Sequence, residues 1–224
     1  EYLKGRPYAP SGESWQQAKE YWATLSTDDG AHFDQEIVID CATISPTVTW
    51  GTSPQEAISV DGQVPPLVLE EGDARRSMEQ SLAYMGLKPG QSIQGLPIQV
   101  AFIGSCTNSR LSDLRIAAAI LKGRKVASGV RAICVPGSTQ AKQTAEKEGL
   151  DQIFLNAGFE WRESGCSMCF YAGGEGFVSG ERVITSTNRN FEGRQGPGCR
   201  SHLASPATVA ASAINGAITD SRKM

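Results

Sequence analysis

The sequence predicts an α/β protein: a mainly parallel sheet flanked by helices, preceded by the end of a second α/β domain. Three observations predict it. From residue 97 onward, the apolar runs "IQVAFIG", "VRAICVP" and "ERVITS" alternate with stretches of helical period. Strand and helix alternating at this spacing make parallel crossovers, with the helices covering the sheet. The segments "GSC", "PGST" and "STNRN" each follow one of these strands directly. That is the edge where an open parallel sheet collects ligands. Finally, Pro65 and Pro66 in "VPPLVLEEGD" stop regular structure, so 64–73 reads as a linker between 1–65 and 66–224.

The elements follow in order. "SGESWQQAKEYWATL" predicts a Ser-capped helix with Trp15, Ala18, Trp22 and Leu25 on one face. "QEIVID" predicts a strand, and "SPTVTWGTSPQE" extended chain broken by turns. "ARRSMEQSLAYMGL" predicts a helix stopped by "KPGQ". After the first buried strand, "SRLSDLRIAAAILKG" carries Leu111, Leu114, Ala118 and Leu121 on one helical face, with Gly123 near its end. "STQAKQTAEKEG" and the short "DQIFLNAG" predict further helices. "SPATVAASAINGAI" closes the chain, with Ser205 as N-cap and Pro206 in the first turn.

Composition excludes several classes. A net charge of −3 gives no basic field to recruit nucleic acid or anionic membrane. No apolar run approaches the roughly 20 residues of a membrane span. "EYLKGRPYAPSGESW" has no basic region followed by an apolar one, so it is no signal peptide, and a cytoplasmic location is expected. It also lacks an initiator Met, so a processed chain or a piece of a longer one is expected. Six cysteines do not make a disulfide framework, which belongs mainly to short secreted chains. Cys134, within "AICVP", reads as a buried structural thiol; Cys41 and Cys199 show no partner pattern.

The remaining three are Cys106 in "GSCTNSR" and Cys166 and Cys169 in "GCSMC". Spacing leaves three readings open. The close pair could be a redox dithiol. Cys106, Cys166, Cys169 and His202 could hold a structural zinc, which wants four ligands. Or the three thiolates hold an iron–sulfur cluster, which normally takes four. With three, one iron keeps an open position for a substrate hydroxyl and carboxylate.

"FIGSCTNSR", "AGFEWRESGCSMC" and "STNRNFEGRQG", in this order, resemble the aconitase superfamily. "EYLKGRPYAP", "VTWGTSP", "KGRKVASGV" and "HLASPATVAASAING" extend the resemblance nearly end to end, and "GCSMC" with "VTWGTSP" favours the isopropylmalate branch. The resemblance implies a hydro-lyase: a [4Fe-4S] enzyme that removes and re-adds water on a small dicarboxylate. It implies that this chain is a C-terminal half, 1–65 ending a second aconitase-type domain and 66–224 forming a third that carries the ligands. A missing N-terminal part and a separate small subunit would complete the site. The chain alone is then expected to be inactive, and its cluster to be absent after aerobic handling. Aconitase, homoaconitase and other alkylmalate dehydratases share these motifs. A non-catalytic zinc module is the reading from a different class. The chain departs from the family pattern in "FYAGGEG", where a Leu-Ala-Met-Asn-like run is usual.

By the same resemblance, Cys106, Cys166 and Cys169 are the cluster ligands. Arg189 and Arg194 match arginines that bind substrate carboxylates, chemistry suited to a guanidinium fork. Asn108 and Asn188 match polar residues beside the cluster. No residue reads as a convincing base; the resemblance puts the base on the small subunit. Ser105, Thr107 and Ser138 read as caps, His202 as a satisfied structural histidine, His32 as a loop residue, and "KGRK" as a solvated helix end.

Overall fold

The computed structural model describes residues 2–67 and 72–224. The chain forms two compact units, one ending at Thr43 and one spanning Ile44–Met224. In the first, α1 (Gly12–Ala23) buries no residue, and Trp15 meets Trp22 edge to face at 5.6 Å. Ser11 precedes α1 but makes no side-chain cap bond. "QEIVID" forms no strand; Ile37, Val38 and Ile39 lie exposed in irregular chain. A strand is stable only when a neighbour takes its backbone hydrogen bonds, and no described strand stands beside this one.

In the second unit, β1 (Thr47–Thr49) and β2 (Ala57–Ser59) form an antiparallel hairpin. Val48, Val60 and Val64 are buried in the same core as α2 (Gly72–Met85) and the main sheet. The hairpin thus belongs to the second compact unit, which begins at Ile44. Part of the expected linker, 68–71, lies outside the described residues.

The main sheet has five strands in the order β5-β4-β3-β6-β7, all parallel. These are β3 (Val100–Ile103), β4 (Arg131–Cys134), β5 (Phe159–Trp161), β6 (Arg182–Thr185) and β7 (Arg200–Leu203). The predicted α/β class with a mainly parallel sheet is thus what the chain forms. Strands β5 and β7 were not predicted. The first is only three residues long, and the second, "RSHL", carries an Arg and a His where an apolar run would signal a strand.

From the central β3, the chain moves outward to β4 and β5, then returns to β6 on the other side of β3. The order reverses between β3 and β6, and such a switch point opens a crevice at the strands' carboxyl ends. Side chains alternate across the sheet. Ala101, Ile103, Ala132, Cys134 and Ile184 join a core with α3 (Leu111–Leu121), α5 (Leu150–Ala157) and α6 (Pro206–Asn215). Cys134 is fully buried, and burial pushes its thiol well up. The opposite set, Val100, Phe102, Ile133, Val135 and Val183, packs with Met168, Cys169, Phe177 and Cys199, which come from loops. Helices thus cover one side of the sheet, and the cysteine loop covers the other. The caps are as expected at two helices. Ser138 accepts from Ala141 N–H before α4 (Thr139–Lys147), and Ser205 accepts from Thr208 N–H before α6.

Candidate metal centre

The carboxyl ends of the parallel strands carry every candidate residue. Cys106 follows β3, Cys166 and Cys169 follow β5, and Asn188, Arg189 and Arg194 follow β6. Cys106 and the Asn188–Arg189 dipeptide therefore flank the switch point.

Ser186 joins the two exits. Its hydroxyl accepts from Gly104 N–H at 3.1 Å and lies 3.0 Å from Gly104 O and 3.1 Å from Asn108 O, to either of which it donates. Asn108 returns its Nδ2–H to Ser186 O at 2.8 Å. The Asn108 amide nitrogen is therefore committed to holding the loop that bears Cys106. Asn190, buried, donates to Gly51 O at 2.7 Å and fixes the loop behind Arg189. Tyr84 of α2 accepts from Gly193 N–H and donates to Cys199 O, at 2.9 and 2.8 Å, fastening the same loop further on.

The turn "GCSMC" is short and helical, with Cys169 N–H donating to Cys166 O at 2.9 Å. Cys106 and Cys166 are exposed and Cys169 is buried; all three are free thiols. Met168, between the paired cysteines, is fully buried against the sheet. Gln195, also fully buried, donates to Met168 O at 3.0 Å. Tyr171 N–H bonds Arg194 O and Phe177 N–H bonds Gln195 O, both at 2.8 Å. The cysteine loop and the arginine segment are therefore laced into one body. Arg194 Nη2 reaches Cys169 Sγ at 3.7 Å, while its Nε is buried without an acceptor. Asn188 and Arg189 are exposed, and Arg189 Nη1 donates to Asn188 O at 2.7 Å.

A charge network straps the returning limb of the cysteine loop to the sheet's edge. Glu175 bonds Arg162 at 2.7 Å and Arg131 at 3.0 Å, and both arginines bond Glu160. Arg162 and then Arg131 hold the Glu175 carboxyl down at about 2.

Among the described residues, no three His, Cys, Asp or Glu side chains stand close enough to hold one metal ion. The structure brings the three cysteines to one edge of the sheet without converging them on a point. A tetrahedral zinc with sulfur at about 2.3 Å needs that convergence. His202, the fourth zinc ligand considered, is spent elsewhere. Fully buried, it faces Thr49 O from Nδ1 at 2.6 Å and Arg182 Nη1 from Nε2 at 2.7 Å. A carbonyl can only accept and a guanidinium only donate, so the proton sits on Nδ1. Burial, then the Arg182 charge, pushes its pKa down to about 3, so the ring is neutral. The donor types also suit a group that spreads its thiolates over several irons. Three free thiols are present, and an orphaned guanidinium N–H beside one of them matches an anionic partner.

Sequence reasoning missed Ser186, Met168, Gln195 and Glu175. An apolar Met inside an otherwise small-residue turn, and the single charge in "FYAGGEG", were the available signals.

Comparison with known proteins adds the following. Residues 1–216 match the aconitase family (aconitate hydratase). The whole chain is 61% identical to a 3-isopropylmalate dehydratase large subunit of Cupriavidus necator, covering 84% of that protein. It is 56% identical to large subunit 1 of the same name from Bradyrhizobium diazoefficiens and 52% identical to the large subunit from Roseiflexus castenholzii. The chain spans about half the length of these last two curated relatives, 47% and 48%.

Proposed function

The chain belongs to the aconitase family, and from that premise we propose that it is part of the large subunit of a 3-isopropylmalate dehydratase. In this reading, the complete enzyme is a hydro-lyase that interconverts 2- and 3-isopropylmalate by dehydration and rehydration, in leucine biosynthesis. One observation carries it: three free thiols and two arginines gather at one sheet edge, with Arg194 Nη2 3.7 Å from Cys169 Sγ. Carboxylate-binding chemistry and cluster-binding chemistry then share one site. The names of the relatives favour isopropylmalate over citrate or homoaconitate as substrate.

Cys106, Cys166 and Cys169 would hold a [4Fe-4S] cluster. When bound, such a cluster supplies a Lewis-acidic iron with one open position. The chain's own residues do the rest of the binding. Arg189, exposed beyond β6, takes one substrate carboxylate through its fork. Arg194 offers its guanidinium beside Cys169 to the second anionic group. Asn188 presents an exposed amide at the same place. Asn108 acts through position: its bond to Ser186 O holds the Cys106 loop against the β6 exit. Residues 1–65 would end a second aconitase-type domain and 66–224 form the third. No side chain of this set is a suitable base, so the proton on the neighbouring carbon is removed by the small subunit of isopropylmalate dehydratase. The N-terminal part of the large subunit closes the other side of the site, and the isolated chain is inactive. A cytoplasmic location belongs to the same reading; among the described residues no helix is long and apolar enough to cross a membrane.

The test is the complete large subunit assembled with its small subunit, assayed on 3-isopropylmalate. Arg189→Lys keeps the charge and loses the fork. Truncating a desolvated charge pair costs roughly 2–5 kcal/mol, about 30-fold to several thousand-fold in kcat/KM. The cluster spectrum should not change. Near-normal kcat/KM, or loss of the cluster, removes Arg189 from the substrate site.

A further inference from the structure

Phe170 is the residue directly after Cys169, in the stretch where this chain departs from the family pattern. Phe170 is 49% exposed, and one face of its ring is in use: the Arg194 guanidinium carbon lies 4.7 Å from the ring centre. Phe191, 47% exposed, has its ring centre 5.4 Å from the same carbon. A cation within about 6 Å of an aromatic face is attracted to it by the ring quadrupole.

Arg194 has few other restraints. Its side chain makes one weak bond, to Cys169 Sγ at 3.7 Å, and its Nε has no acceptor at all. A long side chain held so lightly would lose its place through rotamer entropy alone. The two rings supply the missing restraint. An aromatic ring is no conventional hydrogen-bond acceptor, so holding the cation this way leaves its N–H donors to bond elsewhere. The backbone agrees: Tyr171 N–H bonds Arg194 O at 2.8 Å, so Phe170 and Arg194 are fixed relative to each other from both ends.

We propose that Phe170 is a positioning residue, which with Phe191 clamps the Arg194 guanidinium beside Cys169 with its N–H edge free for a substrate carboxylate. The first half of this statement rests on the contacts above. The second rests on the reading of Arg194 as a carboxylate binder.

Two measurements separate the halves. The first uses the metal-free 224-residue chain and needs no substrate. In the ¹H–¹⁵N spectrum of arginine Nε groups, the Arg194 signal is identified by its loss in Arg194→Lys. It should show a ring-current shift and slow exchange with water. Phe170→Leu, similar in bulk but without a ring, should move the signal toward ordinary arginine values and quicken its exchange. Phe170→Tyr should leave it in place. The second uses the assembled large and small subunits with 3-isopropylmalate. Phe170→Leu should raise KM about two- to five-fold with little change in kcat, and Phe170→Tyr should restore it. In an Arg194→Lys background, Phe170→Leu should add nothing, because it acts through Arg194.

An Nε signal unmoved by Phe170→Leu overturns the clamp. So does equal impairment by Leu and Tyr, or full additivity with Arg194→Lys. A normal KM in Arg194→Lys alone overturns the carboxylate role of Arg194, and the spectrum then still decides whether Phe170 holds it.

Discussion

Met168→Ala should loosen the cysteine turn without touching a thiol. Met168 is fully buried and packs on the sheet side formed by Val100, Phe102, Ile133, Val135 and Val183. Its neighbours Ser167 and Phe170 are exposed, so it is the anchor that carries Cys169 down to 7% exposure while Cys166 stays in solvent. Truncating a buried Met to Ala costs about 2–5 kcal/mol, from lost transfer energy and the cavity left behind. The remaining ties of the turn are few: the Gln195 bond to Met168 O, the Cys169 bond to Cys166 O and the weak Arg194 bond to Cys169 Sγ. Such a segment opens locally before the whole domain unfolds. If the full cost falls on that local equilibrium, the open population rises roughly 30- to 4,000-fold. The assay is alkylation of the metal-free chain under native conditions, with each cysteine followed by mass spectrometry. Wild type should react quickly at Cys106 and Cys166 and slowly at Cys169. Met168→Ala should accelerate Cys169 by at least tenfold, leaving Cys134 protected. Met168→Leu conserves volume, costs under about 1.5 kcal/mol, and should behave nearly as wild type. If Cys169 stays protected in Met168→Ala and the denaturation midpoint does not move, Met168 is no anchor, and the account of the second core is wrong.

Three further outcomes are expected. Cys166→Ser should abolish the visible absorption of a cluster reconstituted anaerobically with iron and sulfide, whereas Cys134→Ser, buried behind the sheet, should keep it; equal loss in both would sink the ligand assignment. Glu175→Gln should release the ionic strap on the cysteine loop. Because Glu175 is half exposed, the loss should be under about 1 kcal/mol and vanish in 1 M salt, read by denaturant midpoints at both ionic strengths. Its carboxyl is depressed to about 2, so the strap's contribution is complete above the ordinary carboxylate range and fades only as pH falls toward 2. His202, depressed to about 3 by burial, binds a proton more readily unfolded than folded, so stability should fall as pH drops from 6.5 toward 3. Its ring signals should not titrate between pH 8 and 5 in an NMR pH series; a midpoint near 6.5 would refute the buried neutral ring.

The sequence by itself determined the α/β class, the three central strands, the helix caps at Ser138 and Ser205, and the family. Each rests on local signals: hydrophobic period, capping chemistry, and motifs whose residues lie close together in the chain. It also supplied the thiols and arginines that the proposed site uses, since "GSC", "GCSMC" and "STNRNFEGR" are contiguous. Only the tertiary structure decided what depends on neighbours distant in sequence. "QEIVID" has strand composition but no strand beside it, whereas the short "FEW" and "RSHL" are strands because β4 and β6 pair with them. His202 reads from the sequence as a satisfied structural histidine, but only the fold shows that Thr49 and Arg182 take its two ring nitrogens. Met168 was a spacer in the motif until the sheet gave it a core to enter. The reversal of strand order at β3 set the site itself. It brings segments about 80 residues apart, the Cys106 loop and the Ser186 turn, within hydrogen-bond distance, and no local pattern encodes such a closure.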